Sequence, residues 1–221
     1  MMSEFSLGRR VVAEVLGTGF LLAIVVGSGI MGERLAGGII AIALLANSFA
    51  TGAGLIALIL MLGGISGAHF NPVVTMVEVL RGNLKNSEAP FYILAQVAGA
   101  FLGVAAAHLM FGESLFTPSG HARSGSAQLF SEFIATFGLV AVIRGVGRAS
   151  KGEVPLAVGA YIAAAYWFTA STSFANPAVT LARAFTPTFA GILPADILGF
   201  CIAQIIGALA AEFLFRWLEK K

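Results

Sequence analysis

The chain has 221 residues, of which 58% are hydrophobic and only 11% charged, with a formal net charge of +2. A soluble domain carries about 25% charged residues, so this composition excludes an ordinary water-soluble fold. The single cysteine, Cys201, excludes an internal disulfide and leaves no cysteine cluster for a metal.

Apolar runs of roughly 17 to 25 residues suffice to cross about 30 Å of hydrocarbon as helix. Six such runs lie at about 10–30, 36–62, 90–111, 127–146, 155–171 and 195–217. The first continues as "LLAIVVGSGIMGE" without a small-x-small cleavage context, so it is expected to be retained as a span. Within it stands Glu14, a carboxylate at a depth where an unpartnered charge costs several kcal/mol.

After the second run comes "SGAHFNPVVT", with His69 two residues before Asn71. Pro72 to Leu80 is nine residues, which as helix rises about 13 Å, half of the hydrocarbon thickness. Asparagine is among the best N-caps and proline suits the first helical position. The segment therefore reads as a half-helix beginning inside the membrane. The next run carries Gln96 and small residues at four-residue spacing, Ala95, Gly99 and Gly103, a pattern that lets helices approach closely. It ends near His108, expected at a surface or interface.

The segment "GESLFTPSGHARSGS", residues 112–126, is the one Gly/Ser-rich linker, and it contains His121. Beyond it the pattern begins again. "SEFIATFGLV" with Glu132 answers "AEVLGTGFLL" with Glu14. "SFANPAVT" with Asn176, Pro177 and Ala178 answers the first motif with Asn71, Pro72 and Val73, and "AQIIGALAA" with Gln204 answers "AQVAGAFLG" with Gln96. Each half holds three spans and one half-helix. Because three is odd, the second half enters the membrane from the opposite side. Residues 1–221 are expected to form one transmembrane domain with an inverted repeat at about 1–115 and 122–221, an organisation found in transporters and channels.

Opposite entry lets the two half-helices meet tip to tip, both positive dipole ends facing the centre. The Asn71 and Asn176 amide NH₂ groups are then expected to point into a lumen as donors, an arrangement that favours polar uncharged solutes and opposes cations. With the N-terminus inside, ten cations fall on the inner side (Arg9, Arg10, Arg81, Lys85, Arg144, Arg148, Lys151, Arg216, Lys220, Lys221) and three outside (Arg34, Arg123, Arg183). This bias places both termini in the cytoplasm.

"SGAHFNPVVT" and "SFANPAVT", together with Glu14, Glu132, Gln96 and Gln204, resemble the aquaporin and aquaglyceroporin (major intrinsic protein) family over essentially the whole chain. The resemblance implies an all-α membrane fold of six tilted helices plus two re-entrant half-helices, a pore in each subunit, a homotetramer in the bilayer, and passive conduction. It also implies that Glu14 and Glu132 brace the loops carrying the motifs and that His69 lines the inner vestibule. Two departures stand out. Val73 replaces the family's usual alanine, adding bulk where the half-helices meet, and Val179 stands where most members carry a filter arginine.

Carried over by spacing from the motifs, the selectivity filter is expected at Thr51, Ala164, Ser173 and Val179, three of them small and none charged. Such a filter is wider than a water-selective one. Arg183, one helical turn beyond Val179 on the same face, either reaches the mouth or is solvated or paired with a loop. The arginine-to-valine form resembles bacterial, inner-membrane aquaglyceroporin-like proteins associated with arsenic resistance. That likeness implies glycerol-like polyols, metalloid hydroxides such as arsenite, methylated arsenicals and water as solutes. An ordinary glycerol or water facilitator, a proton-coupled transporter using Glu14 and Glu132, and an anion channel are the alternatives. No HExxH, phosphate-binding loop or nucleophile elbow occurs, so neither catalysis nor a cofactor or metal is expected. The cations are dispersed at span ends rather than clustered, so nucleic acid is not an expected partner.

Overall fold

The computed structural model describes residues 5–220, so Lys221, counted above among the inner cations, lies outside the described residues. Eight α-helices follow in order: α1 (Leu7–Leu35), α2 (Ile40–Ser66), α3 (Pro72–Leu80), α4 (Ala89–Phe111), α5 (Ser126–Ala149), α6 (Val154–Phe168), α7 (Pro177–Arg183) and α8 (Ile197–Leu218). No strand occurs among the described residues. Five of the helices are long and apolar enough to cross a membrane. The expected fifth span, 155–171, is realised as the 15-residue α6. That helix rises about 22 Å, and a single 3₁₀ turn over Lys151–Glu153 precedes it.

The ends of the helices fall on two faces. Arg10 at the start of α1 donates to Glu88 at the start of α4, at 2.8 and 3.0 Å. Arg216 near the end of α8 donates to the Leu80 carbonyl that ends α3, at 2.9 Å. This is the terminal face, onto which both described ends of the chain open. On the opposite face Arg34, ending α1, meets Glu113 at 2.8 Å just past α4. The linker between α4 and α5 lies on this linker face.

Close approach of helix backbones sets the packing. α1 packs on α2 and α4, α5 on α6 and α8, and α2 on α6. A Cβ built at Gly99 of α4 would stand 2.4 Å from the Val15 carbonyl of α1, and one at Gly207 of α8 would stand 2.4 Å from the Phe133 carbonyl of α5. Only glycine permits either contact, so the small-residue spacing serves helix–helix contact at both places. Many large apolar side chains remain exposed, including Ile40, Phe49, Leu94, Leu109 and Leu198. A helix bundle presents such a surface when its solvent is hydrocarbon.

The linker is not a loose tether. Ser119 N–H donates to the Ala184 carbonyl at 2.8 Å, and Leu193 N–H donates to the His121 carbonyl at 2.7 Å. Residues 112–126 thus fold back over the end of α7 and hold the loop that follows it.

Two expectations about side chains fail here. His108 is fully buried rather than at a surface, its Nε2 lying 2.8 Å from Thr186 Oγ1, a partner too distant in sequence to be anticipated. Val73 does not add bulk at the half-helix junction. It packs with Val77, Val140, Ala208 and Ala211 in a small core on the far side of α3, because the first residue after an N-terminal proline already points one step around the helix from the cap.

Candidate functional site

The two Asn-Pro segments form as local chemistry requires. Asn71 is the N-cap of α3, its side-chain oxygen accepting from Val73 N–H at 3.1 Å. Asn176 caps α7 and accepts from Ala178 N–H at 3.0 Å and Val179 N–H at 3.3 Å. Pro72 and Pro177 occupy the first helical positions, where a missing N–H costs no hydrogen bond.

The caps also tie the two segments together. Asn71 Nδ2 donates to the Ala175 carbonyl at 2.8 Å, and Asn176 Nδ2 donates to the Phe70 carbonyl at 2.8 Å. Each amide therefore spends one of its two N–H groups on the opposite loop. The expectation that both would face the lumen is corrected to one per asparagine. Both side chains still line the main cavity.

The loops leading into the caps are strained in the same way. Ala68 and Phe70 before the first cap have φ of 50° and 48°, and Ser173 and Ala175 before the second have φ of 53° and 49°. Left-handed conformations at non-glycine residues cost about 1–3 kcal/mol each, so something must hold them. Glu14 accepts from His69 N–H at 3.0 Å, Phe70 N–H at 2.7 Å, Ser66 Oγ at 2.7 Å and Gln96 Nε2 at 2.8 Å. Glu132 accepts from Phe174 N–H at 2.9 Å, Ala175 N–H at 2.8 Å and Gln204 Nε2 at 2.6 Å. Both carboxylates are wholly buried, and each is surrounded by donors. Gln96 and Gln204 extend the pattern to Thr75 and Thr180 in the half-helices, each at 2.9 Å.

A cavity of about 810 Å³ runs from Arg10 and Glu88 on the terminal face, past His69, Asn71 and Asn176, to Thr51, Tyr166 and Arg183 toward the linker face. Near its terminal end, His69 Nδ1 lies 3.1 Å from Thr75 Oγ1, and its ring centroid is 5.1 Å from that of Tyr92. Tyr92 OH in turn donates to the Ser66 carbonyl at 2.9 Å.

Of the four residues expected in the filter, Thr51, Ser173 and Val179 line this cavity. Ala164 does not. It lies on an exposed face of α6, while Val158, Ile162 and Tyr166, spaced four apart, form the face turned to the cavity. Two residues along a helix is a rotation of about 200°, which moves position 164 to the far side. Tyr166 OH lies 3.2 Å from Thr51 Oγ1. An aromatic side chain thus occupies a place where a methyl group was expected.

Arg183 was the other open question. It is 2% exposed, its Nε donates to the Ala190 carbonyl, and its Cζ lies 3.4 Å from the Phe174 ring centroid. It is bound to a loop and also lines the cavity, rather than standing free on the outer surface. Arg123 of the linker shares the same ring at 4.9 Å and donates to the Gly191 and Ser171 carbonyls at 2.9 and 3.1 Å. Neither Tyr166 nor Phe174 announced itself in the sequence. The i, i+4, i+8 series on α6 was the available signal for the former.

No cluster of metal-ligating side chains occurs among the described residues. The site is a lined passage with two converging half-helix N-termini.

Comparison with known proteins agrees with this geometry. The fold resembles the X-ray structure of the aquaglyceroporin from Plasmodium falciparum, with a TM-score of 0.74 at 21% identity, covering 97% of this chain and 96% of that one. In sequence the chain is 56% identical over 217 residues to Aquaglyceroporin AqpS of Rhizobium meliloti (strain 1021), covering 98% of this chain and 93% of that protein. It is 34% identical to Aquaporin NIP1-3 of Oryza sativa subsp. japonica, covering 99% of this chain and 76% of the relative. Residues 1–215 match the family described as Major intrinsic protein. The chain belongs to the major intrinsic protein family and is a membrane channel, not an enzyme.

Proposed function

We propose that the protein is a passive channel for small uncharged solutes: glycerol-like polyols, metalloid hydroxides such as arsenite, methylated arsenicals and water. The observation that carries this reading is the meeting of two asparagine-capped half-helices, each leaving one amide N–H toward a continuous cavity. Two positive dipole ends and two neutral donors stabilise a hydroxyl oxygen and repel a cation.

In this reading Asn71, Pro72, Asn176, Pro177 and Ala178 form the central constriction. Glu14 and Glu132 brace its loops, His69 borders the inner vestibule, and Thr51, Tyr166, Ser173 and Val179 form the outer filter. A valine at 179 and small hydroxyl side chains at 51 and 173 admit solutes larger than water. Both carboxylates are engaged by loop N–H groups and a glutamine amide, which favours a bracing role over a proton relay. The channel is one unit built of two inverted halves, about 1–115 and 122–221. It lies in the inner membrane with the terminal face cytoplasmic, as the excess of cations on that face supports, and it assembles as a homotetramer through its exposed apolar helix faces.

The experiment is stopped-flow light scattering on purified protein in liposomes, comparing water efflux, glycerol entry and arsenous acid uptake, with Val179→Arg beside the wild type. The reading expects all three solutes to pass, and glycerol and arsenous acid to be slowed in the variant. Passage of water alone, or a chloride current through the wild type, overturns it.

A further inference from the structure

We propose that Arg183 supplies the fixed positive charge and the hydrogen-bond donors of the outer filter, a role that position 179 cannot fill in this chain. The inference rests on the channel reading above and adds a specificity residue to it.

A buried cation normally has a carboxylate partner. Arg183 is buried, and among the described residues no carboxylate pairs with it. Among the described residues its one protein hydrogen bond is from Nε to a backbone carbonyl, that of Ala190. The two terminal nitrogens have no hydrogen-bond partner among the described residues, yet neither is sealed away from solvent, and the residue lines the cavity. A guanidinium with four N–H groups left over, facing a passage, has the passage as its remaining partner.

Helix geometry explains why this side chain reaches the filter although its Cα lies a turn beyond it. Helical side chains lean toward the N-terminus and cover the turn before their own Cα. For the last residue of α7 that is the turn containing Val179. The short Val179 side chain leaves the space open. Phe174, three residues after Ser171 in the strained loop, then fixes the guanidinium by stacking at 3.4 Å.

Local charge fits the role. Arg123 stands on the same Phe174 ring and Tyr166 borders the same end of the cavity. The nearest buried acid on this side, Glu132, is already occupied by two backbone N–H groups and Gln204. Asp196 on this side is likewise engaged, by Arg123 N–H at 2.7 Å and Ser124 Oγ at 2.6 Å, so the mouth is donor-rich around the Arg183 guanidinium. It repels cations and hydronium and offers hydrogen bonds to the oxygens of uncharged hydroxylated solutes.

The test measures ion exclusion and solute flux together in liposomes. Proton entry is read with an enclosed pH dye under a potassium diffusion potential, and water and glycerol by light scattering. A unit charge about 5 Å from the path in an intermediate dielectric changes cation entry on the order of a hundredfold. Arg183→Leu is expected to gain a proton and sodium leak of that order. Adding Val179→Arg to Arg183→Leu is expected to restore exclusion. A folded Arg183→Leu channel that conducts water and stays as tight to ions as wild type overturns the proposal. Should the leucine variant fail to fold, Arg183→Gln is read in its place, a leak supporting the proposal and a tight channel overturning it. Absence of water and glycerol flux in the wild type would instead refute the channel reading beneath it, so the two failures are distinguishable.

Discussion

Glu132→Gln replaces one carboxylate oxygen by an NH₂ group in a site where every neighbour is a donor. Oε1 accepts from Phe174 N–H, and Oε2 accepts from Ala175 N–H and Gln204 Nε2. The less damaging orientation of the new amide turns its nitrogen toward Phe174 and loses one bond. A hydrogen bond to a charged group contributes about 1.5–3 kcal/mol. The two that remain fall to neutral strength, about half of their former value, which brings the total cost to about 3–6 kcal/mol. That sum matches the strain held at Ser173 and Ala175, whose left-handed backbones cost about 1–3 kcal/mol each. The loop is therefore expected to relax, carrying Asn176 away from the Phe70 carbonyl. Thermal unfolding in detergent should show the loss of stability, and stopped-flow scattering a several-fold fall in water permeability per folded channel. A variant with wild-type stability and permeability would refute the bracing argument. A variant that conducts normally but no longer responds to an imposed proton gradient would replace it with a coupling role.

Other outcomes follow from the same geometry. Ala164→Trp is expected to leave water and glycerol permeability near wild type, because position 164 faces away from the cavity, whereas Tyr166→Trp is expected to slow glycerol; block by the first variant would return Ala164 to the filter. Gly207→Ala places a Cβ 2.4 Å from the Phe133 carbonyl, so it is expected to cost about 1–3 kcal/mol as overpacking, read as a lower unfolding temperature. Arg10 donates to Glu88 and holds its carboxyl below the ordinary 4.5. A depressed folded value means that this stabilisation is present above the unfolded pKa and is lost as pH falls through the folded one. Glu88→Gln is thus expected to lower stability in the neutral region, where the stabilisation is present, and to change little well below pH 4.5, so that the acid limb of the profile flattens.

How much of this was legible in the sequence depended on how local each cause is. Asn71-Pro72 and Asn176-Pro177 could be read because capping involves neighbours two or three residues away, and the structure forms both caps. Glu14 could be matched to Glu132, and Gln96 to Gln204, because the repeats align them, although the hydrogen bonds of the glutamates to the strained loops could only be expected by likeness, and those to the glutamines come from helix packing. Ala164 failed because a carry-over by spacing assumes a fixed path between α6 and the second motif; an offset of two residues reverses a helix face. His108 failed because its partner, Thr186, comes from the other half of the chain. Arg183 was located correctly on the Val179 face, but the position of its guanidinium depends on Phe174 and on the Ala190 carbonyl, which meet it only in the folded loop. Val73 shows the same limit from the other direction, since its bulk enters a core formed with α5 and α8 and leaves the junction untouched.

The central claim is that this passage conducts uncharged solute down its gradient without coupling. It is tested most directly by glycerol flux into sealed proteoliposomes over a wide concentration range, with a proton gradient imposed and then collapsed. The account predicts a rate that rises in proportion to the gradient, is indifferent to the proton gradient, and stops at equal concentrations. Saturation together with accumulation above the external concentration would contradict it and make Glu14 and Glu132 working groups of a transporter.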